Sequence, residues 1–232
     1  MHRFHLRPEN WDSATLDPEE SHHCSHVLRL NEGDRVTVFD GAGREGQATI
    51  ASTTSSRVTL KIGGTTKTPP PPCEITLAQA IPKGKNMDLI VQKAVELGAS
   101  KLVPILSDRT IVQLDADETA KKREKWHAVA LEACKQSGQN HLPALSAPMN
   151  MKDFLERMDK SSLLLIASLQ PDARTLKFVL SEYTQQFGAL PKRVTVFVGP
   201  EGDFTPAEIS LAKSHGCQPI TLGPIILRTE KA

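Results

Sequence analysis

Net charge, paired cysteines and long apolar runs are all missing from this sequence. Its 28 basic and 27 acidic residues leave a formal charge of only +1, which excludes a histone-like polycation. If the partner is nucleic acid, the basic residues must gather on one face, because neutralising phosphate takes local rather than net charge. The four cysteines, Cys24, Cys73, Cys134 and Cys217, lie far apart and form no CxxC pair. That excludes a disulfide framework or structural zinc site and predicts reduced, mostly buried thiols. No apolar stretch approaches the roughly 18 residues of a membrane-spanning helix, and charge and proline interrupt the opening Met1–Pro8, unlike a secretory signal. The expectation is a cytoplasmic protein with no membrane partner. The GxGxxG and GxxxxGK[ST] phosphate-binding patterns are absent too, which disfavours redox and nucleotide-hydrolysing chemistry. What remains is a chain of 232 residues, 39% hydrophobic and 24% charged, suited to one large or two small domains.

The strongest punctuation is the run Pro69–Pro72, which enters neither a helix nor a central strand and favours a stiff extended segment. Ahead of it, Arg35–Phe39, Gly46–Ile50 and Arg57–Ile62 are short β-branched runs, the first two separated by the turn-forming Asp40–Gly43. A small β-barrel or sandwich is expected over residues 1–70. Beyond the prolines, strands and helices alternate. Glu74–Ala80 reads as a strand. Met87, Ile90, Val91, Ala94 and Val95 follow at helical spacing, with Gly98 where a C-terminal cap belongs. Lys101–Leu106 is a strand whose Pro104 predicts an edge or an end. A long helix carries Trp126, Val129, Ala130, Ala133 and Cys134 on one face and ends near Gly138. Ser162–Ala167 and Arg193–Val198 are continuous apolar runs, as expected of strands covered on both faces. Alternating units of this kind imply an α/β fold with an open parallel sheet flanked by helices.

Ligands of open α/β sheets bind beyond the carboxyl ends of the strands. After Val198 comes Gly199–Asp203 and then a marked helix start, with Thr205 as N-cap, Pro206 at the first helical position and Glu208 completing a capping box. The glycines let a ligand approach the backbone, although turn chemistry alone also allows an ordinary strand-to-helix connection. A second strand, Gln218–Leu222, likewise runs into Gly223-Pro224 and a polar cluster. Two such turns are placed to wall one pocket of backbone and apolar groups, suited to a ligand of little net charge such as an adenosine with an amino-acid tail.

Phe197–Gly202, Leu222–Glu230 and Glu132–Gly138 together resemble the 16S ribosomal RNA (uracil-N3)-methyltransferase family of the trefoil-knotted SPOUT superfamily. Arg3, Phe4, His26–Leu30, Gly33 and Asp34 are similar to its PUA-like RNA-binding domain. Lys83–Asp88, Gln92–Gly98 and Ser107–Arg109 are similar to its central motifs. The resemblance spans nearly the whole chain. It implies a PUA-like β-barrel over residues 1–70, and a knotted parallel-sheet methyltransferase domain over 74–232 that lacks the family's carboxy-terminal helix. Asp203 stands where the family usually has glycine, Gln139 where it has arginine or lysine, and Lys231 where it has threonine.

By the same resemblance, S-adenosylmethionine would lie against Ala167, Ser168 and Leu169, then Val198, Gly199, Pro200, Glu201 and Gly202, then Leu222, Gly223, Ile226, Leu227 and Arg228. The implied reaction methylates N3 of a uridine in 16S ribosomal RNA of the small subunit. N3 is a poor nucleophile until its proton leaves, so the base must be positioned and the charge building on its ring stabilised. Arg228 is the candidate for that electrostatic role, and Glu230 or Glu201 for proton removal. N3 lies on the pairing edge, so the target is single-stranded or flipped out. Arg3, Arg29, Lys83, Lys93 and Arg109 are the implied RNA contacts. A homodimer is implied as well. His22, His23, Cys24 and His26 have ligand-like spacing, but no second cluster accompanies them and no metal is expected. The competing implications are a SPOUT enzyme acting on transfer RNA or on a ribose, and a non-catalytic RNA-binding homologue.

Overall fold

A computed structural model describes residues 1–54, 57–84, 86–110, 115–158, 162–223 and 229. The chain divides into two compact units, one of residues 1–70 together with 131–142, the other of 71–130 and 143–232. A boundary drawn along the chain at the prolines therefore misses the segment 131–142, which clusters with the front of the molecule.

In the first unit, β1 (Arg3–His5), β2 (Arg35–Phe39), β3 (Arg44–Thr53) and β4 (Val58–Lys67) form a sheet in the order β1-β2-β3-β4. β1 and β2 are parallel and the other pairs antiparallel. Short α1 (Pro18–His22) starts at Asp17, whose carboxylate accepts from the Glu20 N–H. The inward residues of the strands, including Val36, Val38, Ala48, Ile50, Val58 and Leu60, pack with Phe4, Leu6, Trp11, Leu16 and Cys24 into one core. Lys135, from 131–142, pairs with Glu20 inside this unit, and both side chains are almost wholly buried.

The second unit contains β5 (Glu74–Ala80), α2 (Asn86–Glu96), β6 (Lys101–Leu106), most of α3 (Ala116–Ser137), β7 (Ala144–Leu145), β8 (Met149–Asn150), α4 (Met151–Arg157) and β9 (Leu163–Ala167). It continues with β10 (Arg174–Thr175), α5 (Leu176–Phe187), β11 (Arg193–Val198), α6 (Pro206–Ser214) and β12 (Gln218–Thr221). These strands pair in parallel in the order β10-β12-β9-β11-β5-β6-β7, with β8 also beside β6. Neighbouring residues of the central strands point to opposite faces. Ala78, Ile166 and Phe197 meet α4 and α6 through Phe154, Leu155, Ile209 and Ala212. Leu163, Leu165 and Ile220 meet Val179 of α5. Both faces are therefore covered, which explains the unbroken apolar runs.

Local signals and elements agree at several points. Gly98 closes α2 at φ +83°, with Ala99 N–H donating to Ala94 O. The capping box of α6 is complete, Thr205 Oγ1 accepting from Glu208 N–H while a Glu208 carboxylate oxygen accepts from Thr205 N–H. Pro104 needs a correction. Its strand, β6, is internal, but the neighbour on its outer side is split. β7 pairs at Lys101 and Leu102, β8 at Ile105 and Leu106, and Pro104 falls in the gap, where its missing N–H breaks no ladder on that side. Burial pushes the thiols up, Cys24 to about 11 and Cys134 and Cys217 to about 12. They behave as small apolar residues.

Candidate cofactor site

Because β12, β9 and β11 are adjacent and parallel, their carboxyl ends emerge side by side at one sheet edge. Each ends in a segment anticipated from the sequence. After β9, Ser168 is buried, its N–H donating to Ile220 O at 3.0 Å and its Oγ accepting from Gln170 N–H at 3.2 Å. Leu169 then turns outward and is 61% exposed. After β12, Thr221 Oγ1 donates to Gly223 O at 2.9 Å, holding Gly223 at φ +142°, and Leu222 is 38% exposed. Two bare leucines at the ends of adjacent strands, among main-chain turns, are suited to the apolar body of a nucleoside. Ile226, Leu227, Arg228 and Glu230 lie outside the described residues.

The turn after β11 is the most defined of the three. Asp203 N–H donates to Pro200 O at 2.9 Å and closes it. Asp203 occupies the left-handed region at φ +62°, which explains a position usually filled by glycine, since aspartate tolerates this region better than most side chains. Its Oδ1 accepts from Phe204 N–H at 2.7 Å, and Phe204 is anchored in the core. Gly199 sits directly under this crossing. A Cβ there would lie 3.1 Å from Phe204 N and 3.2 Å from Asp203 Cα.

Three groups outside the turn hold it. Gln79, a fully buried amide opposite Val198 on β5, donates to Val198 O at 3.4 Å and to Ala80 O at 3.0 Å. Lys83 N–H donates to Glu201 Oε1 at 3.0 Å. Arg109 donates to Gly202 O and, at 3.4 Å, to Asp203 O. Sequence reasoning passed over Gln79, although a lone glutamine inside an apolar strand was a signal available to it.

The implied RNA contacts separate by environment. Arg29 is exposed and takes a left-handed backbone at φ +54°. Lys93 pairs with Glu96 on its own helix at 2.7 Å. Lys83 and Arg109 border the β11 turn. Arg3 is pinned within the first unit, its guanidinium 2.5 Å from Glu45 Oε2, 2.9 Å from Asn140 Oδ1 and 4.7 Å from the centroid of the Phe39 ring. His22 and His26 stack at 4.7 Å with an interplanar angle of 9°. Among the described residues no group of three or more His, Cys, Asp or Glu could hold a metal ion, and no helix is long and apolar enough to cross a membrane. A shallow cavity of about 690 Å³ lies at the opposite, amino-terminal edge of β9 and β12. Its Arg174 and Glu182 pair with each other, and it offers nothing suited to the expected chemistry.

Comparison with known proteins identifies the family. The family described as RNA methyltransferase domain matches residues 69–232, and the one described as RNA methyltransferase PUA domain matches residues 16–63. Ribosomal RNA small subunit methyltransferase E of Bacillus subtilis is 32% identical over 97% of this chain and 88% of its own length. The Synechocystis protein of the same name is 32% identical over the whole of this chain and 74% of its own. Among solved structures, the Neisseria gonorrhoeae enzyme of that name, bound to S-adenosyl methionine, superposes with a TM-score of 0.84 at 32% identity, covering 99% of this chain and 92% of the other. A putative Legionella pneumophila methyltransferase, also with bound cofactor, reaches 0.86 at 31% identity with the same coverage. The chain therefore belongs to the RNA methyltransferase family that includes ribosomal RNA small subunit methyltransferase E, and it carries that family's PUA domain.

Proposed function

We propose that this protein methylates N3 of a uridine in 16S ribosomal RNA of the small subunit, using S-adenosylmethionine. The observation that carries this reading is the meeting of three parallel strand ends, β9, β11 and β12, at one sheet edge, with main-chain turns and the exposed Leu169 and Leu222 beside them. The names of the relatives and the cofactor in the solved structures support it. When bound, the sulfonium supplies a methyl group already activated for transfer. The chain's task is to bind, orient and manage one proton. Ala167–Leu169, Val198–Gly202 and Leu222–Gly223 form the cofactor wall, joined by Ile226, Leu227 and Arg228. Arg228 stabilises the negative charge that develops on the uracil ring. Glu230 accepts the N3 proton. We prefer it to Glu201, whose Oε1 is already engaged by the Lys83 N–H.

In this reading residues 1–70 are the PUA-like RNA-gripping domain and 74–232 the catalytic domain, which lends its segment 131–142 to the first compact unit. The turns thread a trefoil knot, and the enzyme works as a cytoplasmic homodimer. Methyl-labelled S-adenosylmethionine offered with unmethylated small subunits, and separately with transfer RNA, tests the substrate. Label should enter the small subunits. Label in transfer RNA instead, or in neither, contradicts the proposal.

A further inference from the structure

The turn after β11 leaves two carbonyls that its own hydrogen bonds do not use. Asp203 N–H closes on Pro200 O, while the oxygens of Gly202 and Asp203 point to Arg109. Arg109 rises from a tight turn after β6, closed by Thr110 N–H donating to Ser107 O at 2.8 Å and by the Ser107 and Thr110 hydroxyls at 2.9 Å. That turn is itself fastened to the start of α6. Asp108 N–H donates to Glu208 Oε1 at 3.0 Å, and Thr205 Oγ1 donates to Asp108 Oδ2 at 3.1 Å. Glu208 is buried, and its other oxygen caps the helix. One carboxylate thus ties the base of Arg109 to the helix that follows the β11 turn. The stem of Arg109 also lies against the turn, since a Cβ on Gly202 would sit 3.6 Å from its Cδ.

We infer that Arg109 is a positioning residue of the cofactor turn, holding the Gly202 and Asp203 carbonyls and so setting the path of the chain from Gly199 to Asp203. Resemblance alone had placed it among the RNA contacts. A guanidinium suits the task because its planar fork reaches two acceptors while keeping its charge, whereas an ammonium is a single point donor. Gln79 and the Lys83 N–H hold the near end of the turn, and Arg109 holds the far end. The inference rests on the reading of this turn as the S-adenosylmethionine wall.

Arg109→Ala, Arg109→Lys and the wild type should be compared by calorimetry with S-adenosylmethionine, by filter binding of unmethylated small-subunit RNA, and by native-state hydrogen exchange of the peptide covering 199–205. Arg109→Ala should weaken S-adenosylmethionine about tenfold, the scale of a lost charge-assisted hydrogen bond. Arg109→Lys should recover part of the loss. RNA affinity should stay within about twofold, as for a surface change away from an interface. Exchange at 199–205 should quicken in Arg109→Ala. Unchanged exchange overturns the inference whether or not S-adenosylmethionine binds. Lower RNA affinity with unchanged cofactor affinity makes Arg109 an RNA contact and overturns it too. Quicker exchange in the variant, with no cofactor bound by the wild type, would refute the cofactor reading while leaving the brace intact.

Discussion

Substituting alanine at Gly199 introduces one methyl group where the β11 turn crosses itself. The new carbon would stand 3.1 Å from Phe204 N and 3.2 Å from both Asp203 Cα and Asp203 Oδ1. Two of these three contacts are main-chain atoms, and the third belongs to a carboxylate already bonded to Phe204 N–H. None is the free end of a flexible side chain. Phe204 is 2% exposed and packs with Phe197 and Ile209, so it cannot retreat inward. The turn must open instead. Overpacking of this kind costs about 1–3 kcal/mol, a fall in melting temperature of about 2–12 °C for a chain this size. Each 1.4 kcal/mol of distortion carried into the bound state is about tenfold in affinity. Gly199→Ala should therefore melt earlier and bind S-adenosylmethionine about five- to a hundredfold more weakly. Gly202→Ala, three residues on, is the control. Its Cβ would meet the Arg109 stem at 3.6 Å, an ordinary contact, so stability should change by less than about 0.5 kcal/mol. Thermal melting and calorimetry on the pair decide the matter. Wild-type affinity in Gly199→Ala, or a larger loss in Gly202→Ala, would refute the reasoning.

Asp203→Val places a β-branched residue at φ +62° and removes the bond to Phe204 N–H. It should cost about 1–2 kcal/mol in denaturant unfolding, while Asp203→Gly stays near neutral. Arg3→Ala removes contacts to Glu45, Asn140 and the Phe39 ring. It should lower stability by about 1.5–3 kcal/mol and leave small-subunit RNA affinity unchanged in filter binding. Burial pushes the Glu20 carboxyl up from 4.5 to about 7 against the pull of Lys135, and its Oε2 is buried without a partner. A folded-state value above the unfolded one means that its contribution to stability is present below pH 4.5 and is lost as pH rises towards 7. Lys135→Met removes the compensating charge. It should cost about 3–5 kcal/mol at pH 8 and much less at pH 5, with Glu20→Gln restoring stability at pH 8. Equal losses at both pH values would contradict this placement of the charge.

The parts legible in the sequence are those decided by neighbours in the chain. Thr205, Pro206 and Glu208 announce the start of α6 because a capping box closes within four residues. Gly98 announces the end of α2 because only a left-handed residue lets Ala99 N–H reach back to Ala94 O. The turn residues Gly199–Gly202 and Leu222–Gly223 stood out because glycine and proline follow apolar strands. Strand order is different, since it depends on contacts across long stretches of chain. Nothing in the run Arg193–Val198 says that it slots between β9 and β5. The resemblance gives Arg3 as an RNA contact, and the sequence does not show its internal pairing because its partner Asn140 lies 137 residues away. The grouping of residues 131–142 with the front of the chain was hidden likewise, since a continuous helix gives no sign of where its contacts change unit. Resemblance places Arg109 among the RNA contacts, and nothing in its chain neighbours signals that main-chain carbonyls of the β11 turn engage it.

The central claim is that the edge formed by β9, β11 and β12 delivers a methyl group to one atom of one base. Small subunits lacking the modification, incubated with this protein and S-adenosylmethionine, should yield N3-methyluridine when their RNA is digested to nucleosides and resolved by mass spectrometry. A different methylated nucleoside, or no methylated product while RNA is still bound, would contradict it.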